Sequence, residues 1–91
     1  MTKRGRKSTS WPEWWDWDLE MTPHLEQRME EREFAEVDVR EMLEQATKFA
    51  SDVVPGRFVI EAPLRGRRWQ VIVEPDPDDR LLVVVTAYWV G

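Results

Sequence analysis

The segment Leu81–Val90 is almost entirely apolar and reads Leu-Leu-Val-Val-Val-Thr-Ala-Tyr-Trp-Val. β-Branched and aromatic residues of this kind are enriched in strands. A strand that is apolar on both faces usually lies in the interior of a sheet, with cover on both sides. The chain is therefore expected to fold around a sheet in which this segment is a central strand.

Alternation of apolar and polar residues predicts three further strands, at residues 16–21, 57–62 and 67–74. In the first of them, an outer row of carboxylates would protect a sheet edge from pairing with other chains. Turns are predicted at Pro55-Gly56, at residues 63–66 and at residues 75–79. The last of these is acidic and contains two prolines, so that neither a helix nor a strand is expected there.

Two helices are expected between the first two strands. The first covers residues 23–32, because Thr22 is a good N-cap and Pro23 suits the first helical position. The second begins at residue 36 or 37 and ends near residue 47, which leaves Phe34 in the joint between the helices. Its predicted packing stripe consists of Val39, Met42, Leu43 and Ala46.

The resulting order is β-α-α-β-β-β. It predicts an α+β fold in which two helices pack on one face of a four-stranded, mostly antiparallel sheet. Residues 13–91 are expected to form a single domain, because a chain of 91 residues has room for one core. Residues 1–12 are expected to form a flexible basic tail. No predicted helix covers the opposite face of the sheet, so a substrate or a partner could bind there.

The composition excludes several kinds of chemistry. The chain has no cysteine and one histidine, so disulfides, thiol catalysis and a histidine-rich metal site within one chain are ruled out. No motif for a nucleotide cofactor is present, and we expect no cofactor and no metal. The basic start is not followed by an apolar run. We therefore expect no signal peptide, no membrane association and a cytoplasmic location.

Charge is unevenly distributed along the chain. The net charge is −5, yet residues 1–10 contain four basic residues and none of the 18 acidic ones. Proteins that bind nucleic acid without sequence preference are usually basic overall, because neutralising phosphates drives their affinity. Any contact between this acidic chain and nucleic acid must therefore depend on a local patch.

The first predicted helix carries the most compact candidate site. At 100° per residue, His24, Arg28 and Arg32 form a stripe about 80° wide, which we call the helix stripe. It lies beside the apolar Leu25 and Met29 and so borders the buried side of the helix. The stripe could bind a ligand. Alternatively, its arginines could form a structural network with carboxylates at the seam between helix and sheet: Glu31, Glu61 or Glu74.

A second basic cluster surrounds one predicted hairpin. It consists of Arg57, Arg65, Arg67 and Arg68. Arginine binds phosphate through paired hydrogen bonds. The cluster is therefore either a solubilising hairpin tip or a patch that contacts phosphate and leads to the uncovered face of the sheet.

Four tryptophans lie close together near the N-terminus: Trp11, Trp14, Trp15 and Trp17. One interpretation is that they close the open end of the small core. The alternative is a partner-binding patch, because tryptophan is enriched at interface hot spots. Trp69, in contrast, alternates in phase with apolar neighbours and is expected in the core.

Four short motifs resemble a known family. They are His24-x₃-Arg28-Met29-x₂-Arg32, Val37-Asp38-Val39-x₃-Leu43, Gly56-Arg57-Phe58-Val59 and the closing Val-Val-Thr-Ala-Tyr. Over residues 17–90 the chain resembles the bacterial domain-of-unknown-function family numbered 4258. That family is similar in fold to the RelE/ParE toxins of bacterial toxin–antitoxin pairs, and most RelE members cleave mRNA on the ribosome. The resemblance implies an antitoxin as partner and RNA or the ribosome as target.

The resemblance carries over a small number of residues. His24, Arg28 and Arg32 match the signature of the family's first helix, and Thr86 matches a threonine near the end of its last strand. The basic residue that opens the middle strand is Arg67 or Arg68. RelE-like nucleases usually have a basic surface, whereas this chain is acidic. The resemblance therefore supports the fold more than the activity.

The first functional hypothesis is a toxin-like, metal-independent endoribonuclease. Such cleavage needs a base, an acid and cations for the transition-state phosphate. His24 is the expected base, Arg28, Arg32 and Arg68 are expected to hold the phosphate, and Tyr88 is expected to stack on a base or relay a proton. Further contacts with the substrate are assigned to Arg57, Arg65, Arg67, Gln70 and Thr86.

The second hypothesis is a non-catalytic interaction module on the same fold. It would bind a partner protein, or associate with a second copy as a homodimer. The contact surface would be formed by the uncovered sheet face and by Trp11, Trp14 and Trp15.

Overall fold

The computed structural model of the protein describes residues 11–90. A 3-10 helical turn at Glu13–Asp16 comes first, and the other elements are β1 (Asp18–Met21), α1 (Pro23–Arg32), α2 (Glu36–Glu44), β2 (Lys48–Ser51), β3 (Phe58–Leu64), β4 (Arg67–Asp76) and β5 (Leu81–Val90). The predicted basic tail lies outside the described residues except for Trp11 and Pro12. No helix within residues 11–90 has the length and apolar character needed to cross a membrane.

The strands form one sheet in the order β1-β5-β4-β3-β2. β1 pairs with β5 in parallel, and all other neighbours are antiparallel. The predicted α+β class, the two helices and the interior position of β5 are confirmed. Within residues 11–90 the sheet is mixed and has five strands, so the prediction of four strands is corrected.

The additional strand, β2, shows no alternation that would reveal it. It has four residues, of which only Phe49 is partly buried. Its order comes from pairing with β3, where Lys48 lies opposite Glu61 and Ser51 opposite Phe58. A short edge strand of this kind depends on backbone hydrogen bonds, which leave no pattern in the sequence.

β4 continues through a proline that was expected to end it. Pro75 lies opposite Leu82 of β5, whereas the pairing of β3 with β4 reaches only Val73. On the side of β3, Pro75 is therefore at a sheet edge, where its missing N–H removes no ladder hydrogen bond. The predicted loop at residues 75–79 is thus shortened by two residues, because Asp76 also pairs with β5.

The turn between β3 and β4 is also tighter than predicted. Pro63 and Leu64 belong to β3 and pair with Arg68 and Arg67. The connection is reduced to Arg65 and Gly66, whose φ angles of 52° and 78° are both positive. Two such residues fit a type I′ turn, which matches the twist of an antiparallel hairpin.

Two other predicted boundaries shift. β1 begins at Asp18, because the preceding residues form the 3-10 turn, in which the backbone N–H of Trp17 donates to the carbonyl of Trp14 at 3.1 Å. α2 ends at Glu44, three residues earlier than expected. The backbone N–H of Thr47 instead donates to the carbonyl of Glu61 at 2.8 Å, which directs the chain into β2.

The core lies between the helices and one face of the sheet. Leu25 of α1 is fully buried, and Phe34 is 6% exposed. The residues of the predicted packing stripe are all buried, although Ala46 lies beyond the end of α2, and Trp69 is in the core as expected. We call the opposite side of the sheet the open face; it carries Val59, Gln70, Ile72, Val83, Thr86 and Tyr88.

A β-bulge determines which β5 side chains reach the open face. Val84 lies opposite Val73 and Thr86 opposite Ile72, so Val85 is an extra residue without a partner. The extra residue reverses the alternation. Val84 and Ala87 are both fully buried on the helix side, whereas Thr86 lies on the open face.

Thr22 connects the start of α1 to β5. Its Oγ1 accepts a hydrogen bond from the backbone N–H of Leu25 and donates to the carbonyl of Val84, both at 3.1 Å. We expect Thr22→Ala to lower the free energy of unfolding by about 1–2 kcal/mol in urea denaturation, because both hydrogen bonds are lost. Thr22→Ser keeps the hydroxyl and should retain most of the stability. Equal losses in the two variants would contradict this role of the hydroxyl.

Candidate functional site

α1 runs beside the part of β5 that β1 leaves free. β1 pairs only with residues 81–84 of β5. Further along, Arg32 donates from Nη1 to the carbonyl oxygen of Ala87 at 2.8 Å. This hydrogen bond joins the helix stripe to the strand segment in which Thr86 and Tyr88 flank Ala87.

The other members of the helix stripe lie further from the core. Going from Arg32 to Arg28 and then to His24, each residue is turned about 40° further round the helix, away from the buried Leu25. Arg28 is half-buried and His24 is exposed. The helix stripe thus runs from the edge of the core towards solvent, beside the part of β5 that does not pair with β1.

Arg28 has a carboxylate partner. Its Nη1 donates to Oε1 of Glu31 at 2.6 Å, and this hydrogen bond holds the pKa of the Glu31 carboxyl below its ordinary value. Arg28 therefore pairs with a carboxylate, as the structural alternative for the helix stripe predicts. That alternative does not describe Arg32, which binds a backbone carbonyl. The other two carboxylates considered pair elsewhere, Glu61 with Lys48 and Glu74 with Arg57.

On the open face, β4 and β5 bring Gln70 and Tyr88 together. The two residues lie opposite each other, and the Tyr88 hydroxyl donates to Oε1 of Gln70 at 2.9 Å. Arg68 precedes Gln70 by two positions on the same face. It is exposed and forms no ion pair within residues 11–90. Thr86 lies beside this group and is half-buried.

Arg67 lies on the other side of the sheet from Arg68. Successive residues of a strand point to opposite faces, and Arg67 therefore shares the helix side with the buried Trp69. Its guanidinium carbon lies 4.6 Å from the ring centroid of Trp89. The basic cluster around the hairpin is thus divided between two surfaces and does not form one patch.

Arg65, Arg67 and Arg32 meet in a cleft of about 590 Å³ between the C-terminal end of α1 and the β3–β4 turn. We call it the hairpin cleft. Arg65 is held there by Asp38 of α2, whose Oδ1 accepts from its Nη2 at 2.8 Å. The sequence groups Arg65 and Arg67 with the uncovered face of the sheet, whereas the structure places both in the hairpin cleft.

Asp38 and Trp89 are site residues that the sequence did not reveal. Asp38 is only 6% exposed, and its Oδ2 accepts from the backbone N–H of Ala35 at 2.8 Å while Oδ1 holds Arg65. An acidic residue in the first turn of a helix is common, so its position gave no sign of a distant partner. Trp89 belongs to an apolar strand, where an aromatic residue is common and its sequence position does not indicate a binding site.

The N-terminal tryptophans pack among themselves and against the sheet. Trp15 is 2% exposed. The ring centroid of Trp11 lies 4.6 Å from that of Trp15 and 5.0 Å from that of Phe49, and Trp14 lies 4.9 Å from Phe58. This packing agrees with closure of the end of the core. A partner-binding role for Trp11, Trp14 and Trp15 stays a prediction.

The residues selected from the sequence are therefore distributed over several places, and Arg28 and Arg57 are paired with Glu31 and Glu74. The open face carries Arg68, Gln70, Thr86 and Tyr88. The hairpin cleft is lined by Arg32, Arg65 and Arg67, and His24 lies exposed at the start of α1. Within residues 11–90, no three His, Asp or Glu side chains are grouped so that they could hold a metal ion.

Comparison with known proteins supports one assignment. No curated protein and no solved structure matches the chain. A family model described as "Domain of unknown function (DUF4258)" matches residues 21–89, which include α1, α2 and nearly all of β5. The match contains the helix stripe, both sides of the β3–β4 hairpin and Thr86. The chain therefore belongs to the DUF4258 family of domains of unknown function.

Proposed function

We propose that the protein is a metal-independent endoribonuclease of the toxin–antitoxin type. The observation that carries the proposal is the hydrogen bond from Arg32 to the Ala87 carbonyl. It holds the cationic helix stripe against β5 at Ala87. The residues on either side of Ala87, Thr86 and Tyr88, lie on the open face. The sequence resemblance to RelE-like proteins points to the same helix and strand, and in the proposal His24 would reach the substrate from the start of α1.

In this proposal, the phosphodiester lies across the end of the open face next to α1. His24 removes the proton from a ribose 2′-hydroxyl, and the 2′-oxygen attacks the phosphorus. The bond from phosphorus to the 5′-oxygen breaks, which leaves a 2′,3′-cyclic phosphate on one fragment. Tyr88 supplies the proton to the departing 5′-oxygen and so gives a 5′-hydroxyl on the other.

The arginines would stabilise the charge that develops on the phosphate. Arg68 is the best placed of them, because it is exposed on the open face and forms no ion pair within residues 11–90. Arg28 would have to exchange Glu31 for the substrate. Arg32 already binds the strand backbone, so its contribution is to position α1 against β5. Gln70 orients the Tyr88 hydroxyl.

The acidic charge of the chain means that contact with RNA must come from local basic groups. With a net charge of −5, the chain would gain little from general attraction to RNA. A target on the ribosome, and an antitoxin that holds the protein inactive in the cytoplasm, follow from the resemblance to RelE-like toxins. Both belong to the proposal.

Induced expression in a bacterial host tests the proposed function. We expect the wild type to arrest growth and to deplete mRNA, and we expect His24→Ala to restore both, because the base is removed without loss of a packed side chain. Arg40→Gln, which changes an exposed arginine on α2 paired with Glu36, is the matched control and should arrest growth like the wild type.

Two results would contradict the proposal. Normal growth and intact RNA in cells that contain abundant folded wild-type protein would exclude the toxin and favour the interaction module. A folded His24→Ala variant that is as toxic as the wild type would remove His24 from the mechanism. Circular dichroism of the purified variants shows whether they are folded.

A further inference from the structure

The hairpin cleft has features that the proposed cleavage reaction does not use. It lies on the helix side of the sheet, whereas the reaction is assigned to the open face. Its walls are the last turn of α1, the β3–β4 turn and the end of β5. The side chains that matter for the argument are Arg32, Arg65, Arg67, Trp89 and Glu33.

Two of the guanidinium groups in the cleft lack an ion pair. Arg65 is neutralised by Asp38 at 2.8 Å, and the lining residue Glu31 is neutralised by Arg28. Arg32 and Arg67 form no ion pair within residues 11–90, and of the lining carboxylates only Glu33 is likewise without one. The cleft therefore presents an excess of positive charge in a chain that is acidic overall.

An aromatic ring lies next to these charges. Trp89 is 49% exposed. It meets the buried Trp69 edge-to-face at 5.9 Å between ring centroids, and this contact fixes the orientation of its indole. Arg67 rests on the ring and has no hydrogen-bond acceptor among the described residues. A bound anion would have to draw the guanidinium away from this cation–π contact, which would open the indole face.

We propose that the hairpin cleft binds a nucleotide, with its base stacked on Trp89 and its phosphate held by Arg67, beside the positive charge of Arg32, which keeps its hydrogen bond to Ala87. An exposed indole beside unpaired guanidinium groups is the combination that recognises a flat base joined to a phosphate. The nucleotide is either part of a single-stranded RNA or a free nucleoside monophosphate. As a subsite for RNA, the cleft rests on the proposed function; as a nucleotide site, it does not.

Binding of a fluorescently labelled, single-stranded 2′-O-methyl RNA tests this inference, because such an RNA cannot be cleaved through its 2′-oxygen. We expect Trp89→Ala to weaken binding by about 5- to 150-fold, the range found for the loss of one stacked base. Trp89→Phe keeps a ring and should retain most of the affinity. Arg67→Gln should weaken binding and reduce the salt dependence by about 0.7 in the log–log slope, as expected for one lost phosphate contact.

Arg40→Gln is again the matched control, because it removes the same charge from an exposed site outside the cleft. Competition with uridine monophosphate identifies the source of the nucleotide: competition that depends on Trp89 indicates a free nucleotide site, and its absence indicates a strand. Both results support the inference. Equal RNA binding by the wild type, Trp89→Ala and Arg67→Gln would overturn it.

Two other probes define what else would overturn the inference. Binding of inorganic phosphate that is as strong as binding of uridine monophosphate would show that no base is recognised. Stronger binding of a poly-glutamate peptide than of RNA, lost in Arg67→Gln, would identify the cleft as a site for an acidic protein. Because the RNA is uncleavable, a protein that binds it through Trp89 but causes no growth arrest would retain this inference and lose the proposed function.

Discussion

Trp15→Ala is expected to lower the free energy of unfolding by about 3–5 kcal/mol, the cost of removing a large buried aromatic side chain. The side chain is 2% exposed and forms part of the hydrophobic core. Folded domains are stable by about 5–15 kcal/mol in total, so the variant should lose a large share of its stability. Urea denaturation followed by circular dichroism measures the loss.

Three neighbouring aromatic rings explain why the loss should be at the upper end of the range. Trp15 lies 4.6 Å from Trp11 and 6.3 Å from Trp14, and Trp11 in turn packs on Phe49 of β2. Removing Trp15 leaves a cavity that these rings cannot fill without giving up their contacts with the sheet. The end of the core, and with it the short strand β2, should therefore lose order.

Trp89→Ala is the matched control, because the same substitution is made in a side chain that is 49% exposed. It removes one edge-to-face contact with Trp69, worth about 0.5–1.5 kcal/mol, and the cation–π contact with Arg67, worth about 0.5–1 kcal/mol, and it creates no cavity in the core. If Trp15→Ala destabilises the protein no more than Trp89→Ala does, the N-terminal tryptophans do not close the core, and a partner-binding role for them becomes the better interpretation.

The long elements of the fold were predictable because the order of apolar and polar residues in them indicates which side chains are buried. α1 follows from Thr22, Pro23 and a clear apolar face, and the bounds of β5 follow from an unbroken apolar run. β2 was not predictable, because three of its four side chains are exposed, and it is held by backbone pairing and by the packing of Phe49 on Trp11, which no local pattern shows. The same reason applies to Pro75, whose place in β4 depends on where β3 ends.

The candidate site was less predictable, since it depends on how elements meet. Alternation alone separates Arg67 from Arg68, yet their closeness in sequence favoured a single basic patch. The bulge at Val85 could not be read from a uniformly apolar strand, although it decides that Thr86 lies on the open face. The contact of Arg32 with Ala87 joins residues far apart in the chain, and no local pattern indicates it.

Tyr88→Phe is expected to reduce RNA cleavage by about 100- to 10 000-fold, the usual contribution of a general acid or base. In the proposed mechanism the Tyr88 hydroxyl gives its proton to the departing 5′-oxygen, and no other hydroxyl on the described part of the open face has an equivalent position. The hydroxyl donates to Oε1 of Gln70 at 2.9 Å, so in the proposed reaction it must exchange this acceptor for the 5′-oxygen of the substrate. The measurement is the rate of 5′-hydroxyl formation on mRNA with translating ribosomes present.

The substitution removes one oxygen atom and one hydrogen bond at a half-buried position, which should cost about 0.5–1.5 kcal/mol of stability. Loss of activity through unfolding is therefore not expected, and urea denaturation checks this directly. Gln70→Ala is the companion variant: it keeps the hydroxyl but removes its acceptor, so cleavage should fall much less than in Tyr88→Phe. A folded Tyr88→Phe protein that cleaves at the wild-type rate would show that the proton comes from another group, and Tyr88 would then be a stacking residue on the open face, since phenylalanine preserves the ring.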